Sequence, residues 1–160
     1  MAAPSEEKRS ALTIRAAVPE DLEDLVTLGR MMWPDNTEAG LREEFADTLQ
    51  DSLACFFLLY RGEEPVGFAQ VQLRRDYVEG TVTSPVGYLE GIYIKKEYRR
   101  KGYAGMLVRT CENWAAEKGC SEFASDCPVT NTVSYAFHMH MGFAEANRII
   151  CFTKKLPEKR

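Results

Sequence analysis

The chain has 160 residues, 45% hydrophobic and 28% charged, enough to bury one core without disulfides or metals. Its net charge of −4 disfavours nucleic acid as the main partner and suits a cationic ligand. No apolar run reaches membrane-spanning length, residues 1–10 lack the apolar stretch of a secretory signal, and the five cysteines contain no Cys-x-x-Cys, so the expected setting is the reducing cytoplasm.

Residues 13–16 read as a short first strand. Pro19, Glu20 and Asp21 open a helix with acids in the first turn, where the helix dipole favours them. Leu22, Leu25 and Leu28 carry it to about Met32, before Trp33-Pro34 breaks it. A second helix over 38–49 places Leu41, Phe45 and Leu49 on one face. The apolar run 54–61, the turn 62–65 and residues 66–73 form an expected antiparallel hairpin. A polar loop over 74–86 precedes a strand over 87–94. The clearest helix covers 102–118: Ala104, Leu107, Val108, Cys111, Trp114 and Ala115 make one stripe, and Gly119 stands where a C-terminal cap belongs. A short strand (122–125), a helix over about 130–141, Gly142 and a last strand over 143–153 complete the order.

This alternation predicts one α/β domain over 11–156, with a mixed, mostly antiparallel sheet flanked by about four helices, and loose tails at 1–10 and 157–160. Cys55, Cys111, Cys120 and Cys151 sit among apolar or small neighbours and read as small reduced hydrophobes; Cys127, after a strand end, is the one to watch. His138 and His140 lie two apart on a helix and point to different faces, so no metal is expected.

Between the central strand and the long helix lie Tyr98, Arg99, Arg100, Lys101, Gly102, Tyr103 and Ala104. Glycine and alanine keep side chains off the backbone, so a ligand can reach the N–H groups at the helix start. With the helix dipole, two arginines and a lysine, these groups make a site for phosphate oxygens. A solvated basic turn is the competing reading, and Arg-x-x-Gly-x-Ala alone does not separate the two. The spacing is neither that of a Walker loop nor that of a dinucleotide-binding Gly-x-Gly-x-x-Gly.

In context the segment resembles a known family. Leu89-Glu90-Gly91-Ile92-Tyr93-Ile94 followed by Arg99-Arg100-Lys101-Gly102-Tyr103-Ala104 is similar to the pyrophosphate-binding motif of the GNAT N-acetyltransferase superfamily. Asn131 and His138-Met139-His140-Met141-Gly142-Phe143 look like that superfamily's second cofactor segment. Trp33-Pro34, Asp76-Tyr77-Val78, Ser84-Pro85, Ala124-Ser125-Asp126 and Asn131-Thr132 narrow the resemblance to the aminoglycoside 6′-N-acetyltransferases.

The resemblance implies a splayed pair of parallel strands that admits the pantetheine arm of acetyl-coenzyme A. The backbone of Ile92, Tyr93 and Ile94 would hold that arm and polarise the thioester carbonyl. Arg99, Arg100, Lys101, Gly102, Tyr103 and Ala104 would hold the pyrophosphate, with Asn131 on the other side. Glu90, beside the thioester, would deprotonate the acceptor amine, although a strand-borne glutamate is ordinarily a surface or paired residue. Asp126 would be a second anion for the cationic acceptor; its local alternative is an N-cap or Asx turn. Trp33 and Tyr77 match positions that line the acceptor site, where simple packing is the ordinary role.

Two departures from the family pattern stand out. His138 replaces a tyrosine that protonates the departing thiolate in many of these enzymes; it would donate that proton, or pack while the thiolate leaves unaided. Asn147 replaces a carboxylate near the acceptor, which puts the substrate range in doubt. The expected acceptor is an aminoglycoside and the expected assembly a homodimer. Polyamines or protein N-termini are alternative acceptors within the same chemistry, and a non-catalytic acetyl-coenzyme A sensor is an alternative outside it.

Overall fold

The apolar hairpin forms the middle of the sheet. In the computed structural model, which describes residues 11–159, β2 (Ala54–Arg61) and β3 (Glu64–Arg74) pair antiparallel around a tight turn at Gly62, whose φ of 62° is the left-handed conformation glycine tolerates. β1 (Leu12–Ala16) lies antiparallel on β2, β4 (Val86–Ile94) lies antiparallel on β3, and β5 (Phe123–Ser125) lies parallel to β4. The order is therefore β1-β2-β3-β4-β5. The chain falls into two units, one ending at Asp126 and the other beginning at Cys127, and each is described by itself.

In the first unit, α1 (Leu22–Met32) and α2 (Glu38–Gln50) cover one face of the sheet. Thr37 caps α2, its Oγ1 accepting the Gly40 N–H at 3.0 Å. Leu25, Leu28, Leu41 and Phe45 bury against Phe56, Leu58 and Phe68, with the Phe45 and Phe56 rings 4.8 Å apart. α3 (Tyr103–Glu117) buries Leu107, Val108, Cys111 and Ala115 against β2, β3 and β4. Gly87 lets it come close, because a Cβ there would lie 2.5 Å from that of Ala115.

Two irregularities mark β4. Gln70 pairs with Gly91 and Val71 with Leu89, so Glu90 is an extra residue in a β-bulge. β5 pairs with β4 only from Gly87 to Leu89, while β4 continues to Ile94. Among the described residues, 91–94 pair with β3 alone, and the parallel ladder to β5 ends at Leu89.

The second unit holds α4 (Thr132–His140), capped by Asn131, whose Oδ1 accepts the Ser134 N–H at 3.0 Å. Gly142 follows it with φ 90°. Residues 143–159 form neither helix nor strand, which corrects the expected last strand over 143–153. That expectation rested on β-formers, but a strand also needs a ladder partner, and this unit has no strand among its described residues. Ile149, Ile150 and Phe152 are 68%, 81% and 89% exposed, and Cys151 is exposed with them. The expected loose tail at 1–10 lies outside the described residues, whereas 157–159 are exposed and irregular.

Asp21 does more than complement a helix dipole. Its buried carboxylate takes Arg15 Nη1 at 2.7 Å, Arg15 Nη2 at 2.8 Å and the Val18 N–H at 2.8 Å, tying β1 to the start of α1. The Arg15 hydrogen bonds hold its carboxyl below the usual range against the opposing effect of burial. A carboxyl lowered in the folded state stabilises fully above its unfolded pKa of about 3.9, and this contribution fades as pH falls through the lower folded value. Asp21→Asn is therefore expected to cost about 2 kcal/mol in urea unfolding at pH 7, with the gap to the wild type closing below about pH 4. An equal gap at both pH values would contradict the charged pairing.

Candidate functional site

The loop entering α3 is built to leave backbone donors exposed. Glu64 on β3 fixes its start, accepting from Lys95 Nζ at 3.1 Å and Tyr98 Oη at 2.7 Å. Arg100 then adopts φ 62° and Gly102 φ 80°, two left-handed residues two apart, and for arginine this conformation is costly. Glycine at 102 answers to that angle, since a Cβ there would meet nothing within 4 Å. No side chain caps α3, so its first-turn N–H groups face outward beside the exposed Arg100 and Lys101. This arrangement suits an anion. Arg99 differs from its neighbours: Nε donates to the Ile94 carbonyl at 2.7 Å, and the guanidinium lies 5.3 Å from the Tyr93 ring centroid. It braces the end of β4.

On the opposite side of the bulge, the register sets which side chains meet. Tyr88 pairs with Gln72 and Gly91 with Gln70, so the extra residue lets both face α1 and α2. Trp33, just past α1, lies against Gly91, where a Cβ would be 2.9 Å from Cη2 of the indole. Its ring also packs edge-on with Phe45 and Phe68, at 6.3 and 6.1 Å. Trp33 thus packs in the core and against Gly91, and it is not among the residues that line the cavity beside Glu90.

Glu90 is held by Arg74, which sequence reasoning missed. Arg74 Nε and Nη2 donate to Oε1 at 3.0 and 2.8 Å, and Nη2 also reaches Oε2 at 2.9 Å. The Arg74 guanidinium sits 3.4 Å from the centroid of the Tyr88 ring, and Tyr88 Oη donates to Asp126 Oδ1. Burial, followed by the bond to Asp126, pushes the Tyr88 phenol well above its ordinary value. Asp126 has neither of its local alternative roles here: Tyr88 engages it. A cavity of about 550 Å³ is lined by Arg74, Arg75, Asp76, Tyr77 and Glu90 among others. Tyr77 is 78% exposed at its rim and donates to Glu79 Oε2 at 3.3 Å. The charged lining is balanced, two arginines against two carboxylates, so the acidity of the whole chain is not concentrated in this cavity.

Residues 22–143 match the model of the acetyltransferase (GNAT) family. The chain belongs to this family. Among its relatives is an aminoglycoside N(6′)-acetyltransferase type 1 of Acinetobacter haemolyticus, 38% identical over 91% of this chain and 99% of the relative. The solved aminoglycoside 6′-N-acetyltransferase AAC(6′)-IG of the same organism superposes with a TM-score of 0.86 at 37% identity, covering 91% of this chain and 99% of the other. AAC(6′)-Iy, in complex with the bisubstrate analogue CoA-S-monomethyl-acetylneamine, superposes at 0.88 with 33% identity, covering 92% of this chain and all of the other.

For this GNAT acetyltransferase, acetyl-coenzyme A as co-substrate fits the residues present. The uncapped start of α3 offers donors to a pyrophosphate, and the part of β4 beyond its pairing with β5 offers backbone to an amide-bearing arm. Among the described residues no cluster could hold a metal, and no helix is long and apolar enough to cross a membrane. The sequence-selected residues of the second unit have local partners. Asn131 caps α4, and Asn147 Oδ1 accepts the Arg148 N–H at 2.8 Å. His138 Nδ1 lies 2.7 Å from the Ser134 carbonyl, which requires a proton on Nδ1. Its ring packs edge-on against Phe137 and Phe143.

Gly91→Ala tests the contact between Trp33 and the bulge. The added methyl is expected to move the indole, shifting Trp33 emission in a Trp114→Phe background and costing about 1–3 kcal/mol in stability. Unchanged emission and stability would show that the indole is not seated on residue 91.

Proposed function

We propose that this GNAT enzyme transfers the acetyl group of acetyl-coenzyme A to the 6′-amino group of aminoglycoside antibiotics and so confers resistance to them. Residues 11–156 act as one catalytic domain, in the cytoplasm. The observation that carries this reading is the position of Glu90. It occupies the bulge where β4 parts from β5 and lines the cavity beside Tyr77. The names of the relatives, found over nearly the full length of both chains, support the choice of acceptor.

Acetyl-coenzyme A supplies an activated thioester. The backbone of Ile92, Tyr93 and Ile94 aligns its arm, and N–H groups of β4 stabilise negative charge developing on the carbonyl oxygen. Arg100, Lys101 and the N–H groups from Gly102 to Ala104 hold the pyrophosphate, Arg99 braces the strand end, and Asn131 contributes from α4. Trp33 and Tyr77 offer apolar faces to sugar rings. Asp126 attracts the polycation and Asn147 tunes which aminoglycosides are accepted. The acceptor arrives as an ammonium ion without a lone pair; Glu90 takes a proton and the freed amine attacks the thioester carbon. His138 is the candidate acid for the thiolate. With Nδ1 engaged by the Ser134 carbonyl, Nε2 is the nitrogen that would carry this proton, and unaided departure of the thiolate is the preferred alternative.

Thiol release with acetyl-coenzyme A and a panel of aminoglycosides, polyamines and peptides tests the reading, with products identified by mass spectrometry. Turnover is expected only with aminoglycosides bearing a 6′-amino group, not with their 6′-hydroxyl counterparts. Glu90→Gln should lower kcat by about 100-fold, and His138→Gln should keep near-normal turnover. Acetylation of polyamines or peptides in preference would reassign the acceptor. Cofactor binding without any transfer would make the protein a sensor.

The enzyme is proposed to be a homodimer. Ile149, Ile150, Phe152 and Leu156 are exposed on a segment with β-propensity and no ladder within its own unit, a surface that favours a second copy. Sedimentation at micromolar concentration is expected to give twice the chain mass, and a monomer would remove the proposal.

A further inference from the structure

We propose that Arg74 and Tyr88 form a clamp that fixes Glu90 and Asp126 as one unit, making Arg74 the positioning residue that presents a single face of Glu90 to the acceptor amine. The clamp rests on the assignment of Glu90 as the proton acceptor and adds how that carboxylate is aimed.

A carboxylate offers about four acceptor directions, two on each oxygen. Arg74 grips it from one side: Nε donates to Oε1 at 3.0 Å, and Nη2 is shared between Oε1 at 2.8 Å and Oε2 at 2.9 Å. The directions left for another donor are those that point away from the guanidinium. A glutamate has three rotatable bonds and would otherwise sample many orientations, yet this fork selects one. The fork is itself held. Arg74 closes β3 and Tyr88 lies on β4, and the stacking at 3.4 Å orients the guanidinium plane. Tyr88 Oη then donates to Asp126, the residue following β5. The four side chains thus run across three neighbouring strands, and a rotation of any one disturbs the next.

Lysine could not replace Arg74. It carries the same charge, but its ammonium is a point donor that neither grips both oxygens in a planar fork nor stacks flat on a phenol ring. The clamp therefore depends on the shape of the guanidinium as well as on its charge.

Arg74→Lys and Arg74→Met, each alone and combined with Glu90→Gln, separate this role from a merely structural one. With an aminoglycoside as acceptor, both single variants are expected to lower kcat by about 10- to 100-fold while leaving the melting temperature and the KM for acetyl-coenzyme A near the wild type. Neither should slow Glu90→Gln further, because a positioning residue has no effect once the group it positions is gone. Tyr88→Phe, which keeps the stacked ring and loses the bond to Asp126, should raise the acceptor KM more than it lowers kcat. Wild-type kcat in Arg74→Lys, or the same loss in the Glu90→Gln background, overturns the clamp while leaving the role of Glu90 intact. Wild-type kcat in Glu90→Gln overturns both. A readout independent of turnover is the Arg74 Nε–H resonance of the whole protein in solution. Slow exchange that is lost in Glu90→Gln is expected, and fast exchange in the wild type overturns the clamp even if no amine proves to be a substrate.

Discussion

The site depends on one extra residue in β4. Without the bulge, strict alternation would place Tyr88 and Gly91 on opposite faces of the sheet, and the stack of Arg74 on Tyr88 could not coexist with Trp33 seated on Gly91. With it, both residues face α1 and α2, while Leu89 and Ile92 keep their places opposite Val71 and Ala69. The same position ends the ladder with β5. A single irregularity thus brings a carboxylate to the point where the sheet opens.

Opening a sheet exposes backbone donors and acceptors, which is costly when they are buried and a liability when they are not. Here the length without a β5 partner is short, from residue 90 to residue 94, and its far end is braced by Arg99 on the Ile94 carbonyl. The left-handed Arg100 immediately after shows where strain is stored to aim the first turn of α3. An uncapped helix start and a strand stretch beyond its parallel partner suit the same kind of ligand, one with an anionic end and an amide-bearing arm. Coenzyme A has both, and this links the fold to the family's chemistry more tightly than either feature alone.

Much of this was legible in the sequence because it is written locally. The run 54–61 matches β2 to the residue, the stripe from Ala104 to Ala115 matches α3, and Gly102 marks a backbone angle. Glu90 and the loop from Arg99 to Ala104 stood out as candidates through motif order. What was lost is relational. Arg74 stood at the start of an expected loop, whereas it is the last residue of β3, and its partner Tyr88 is recognisable only once the register across the bulge is known. Asp21 had a sufficient local explanation, which concealed its pairing with Arg15. The expected strand over 143–153 failed for the converse reason: composition signals a residue's fitness for a sheet, not the presence of a neighbour.

The cysteines show how packing sets the state of a side chain. A thiolate is the reactive form of cysteine, and burial in apolar surroundings disfavours it. Burial pushes the Cys55 thiol up to about 11 and raises Cys111 further, on the apolar stripe of α3; Cys120 is raised by burial as well. At neutral pH these groups stay protonated and behave as the small hydrophobes that their sequence neighbours suggested. For Cys111 this follows from the same packing that holds α3 against the sheet. Opening that packing would cost stability and expose the thiol together, so a single set of contacts fixes both the helix and the state of its cysteine.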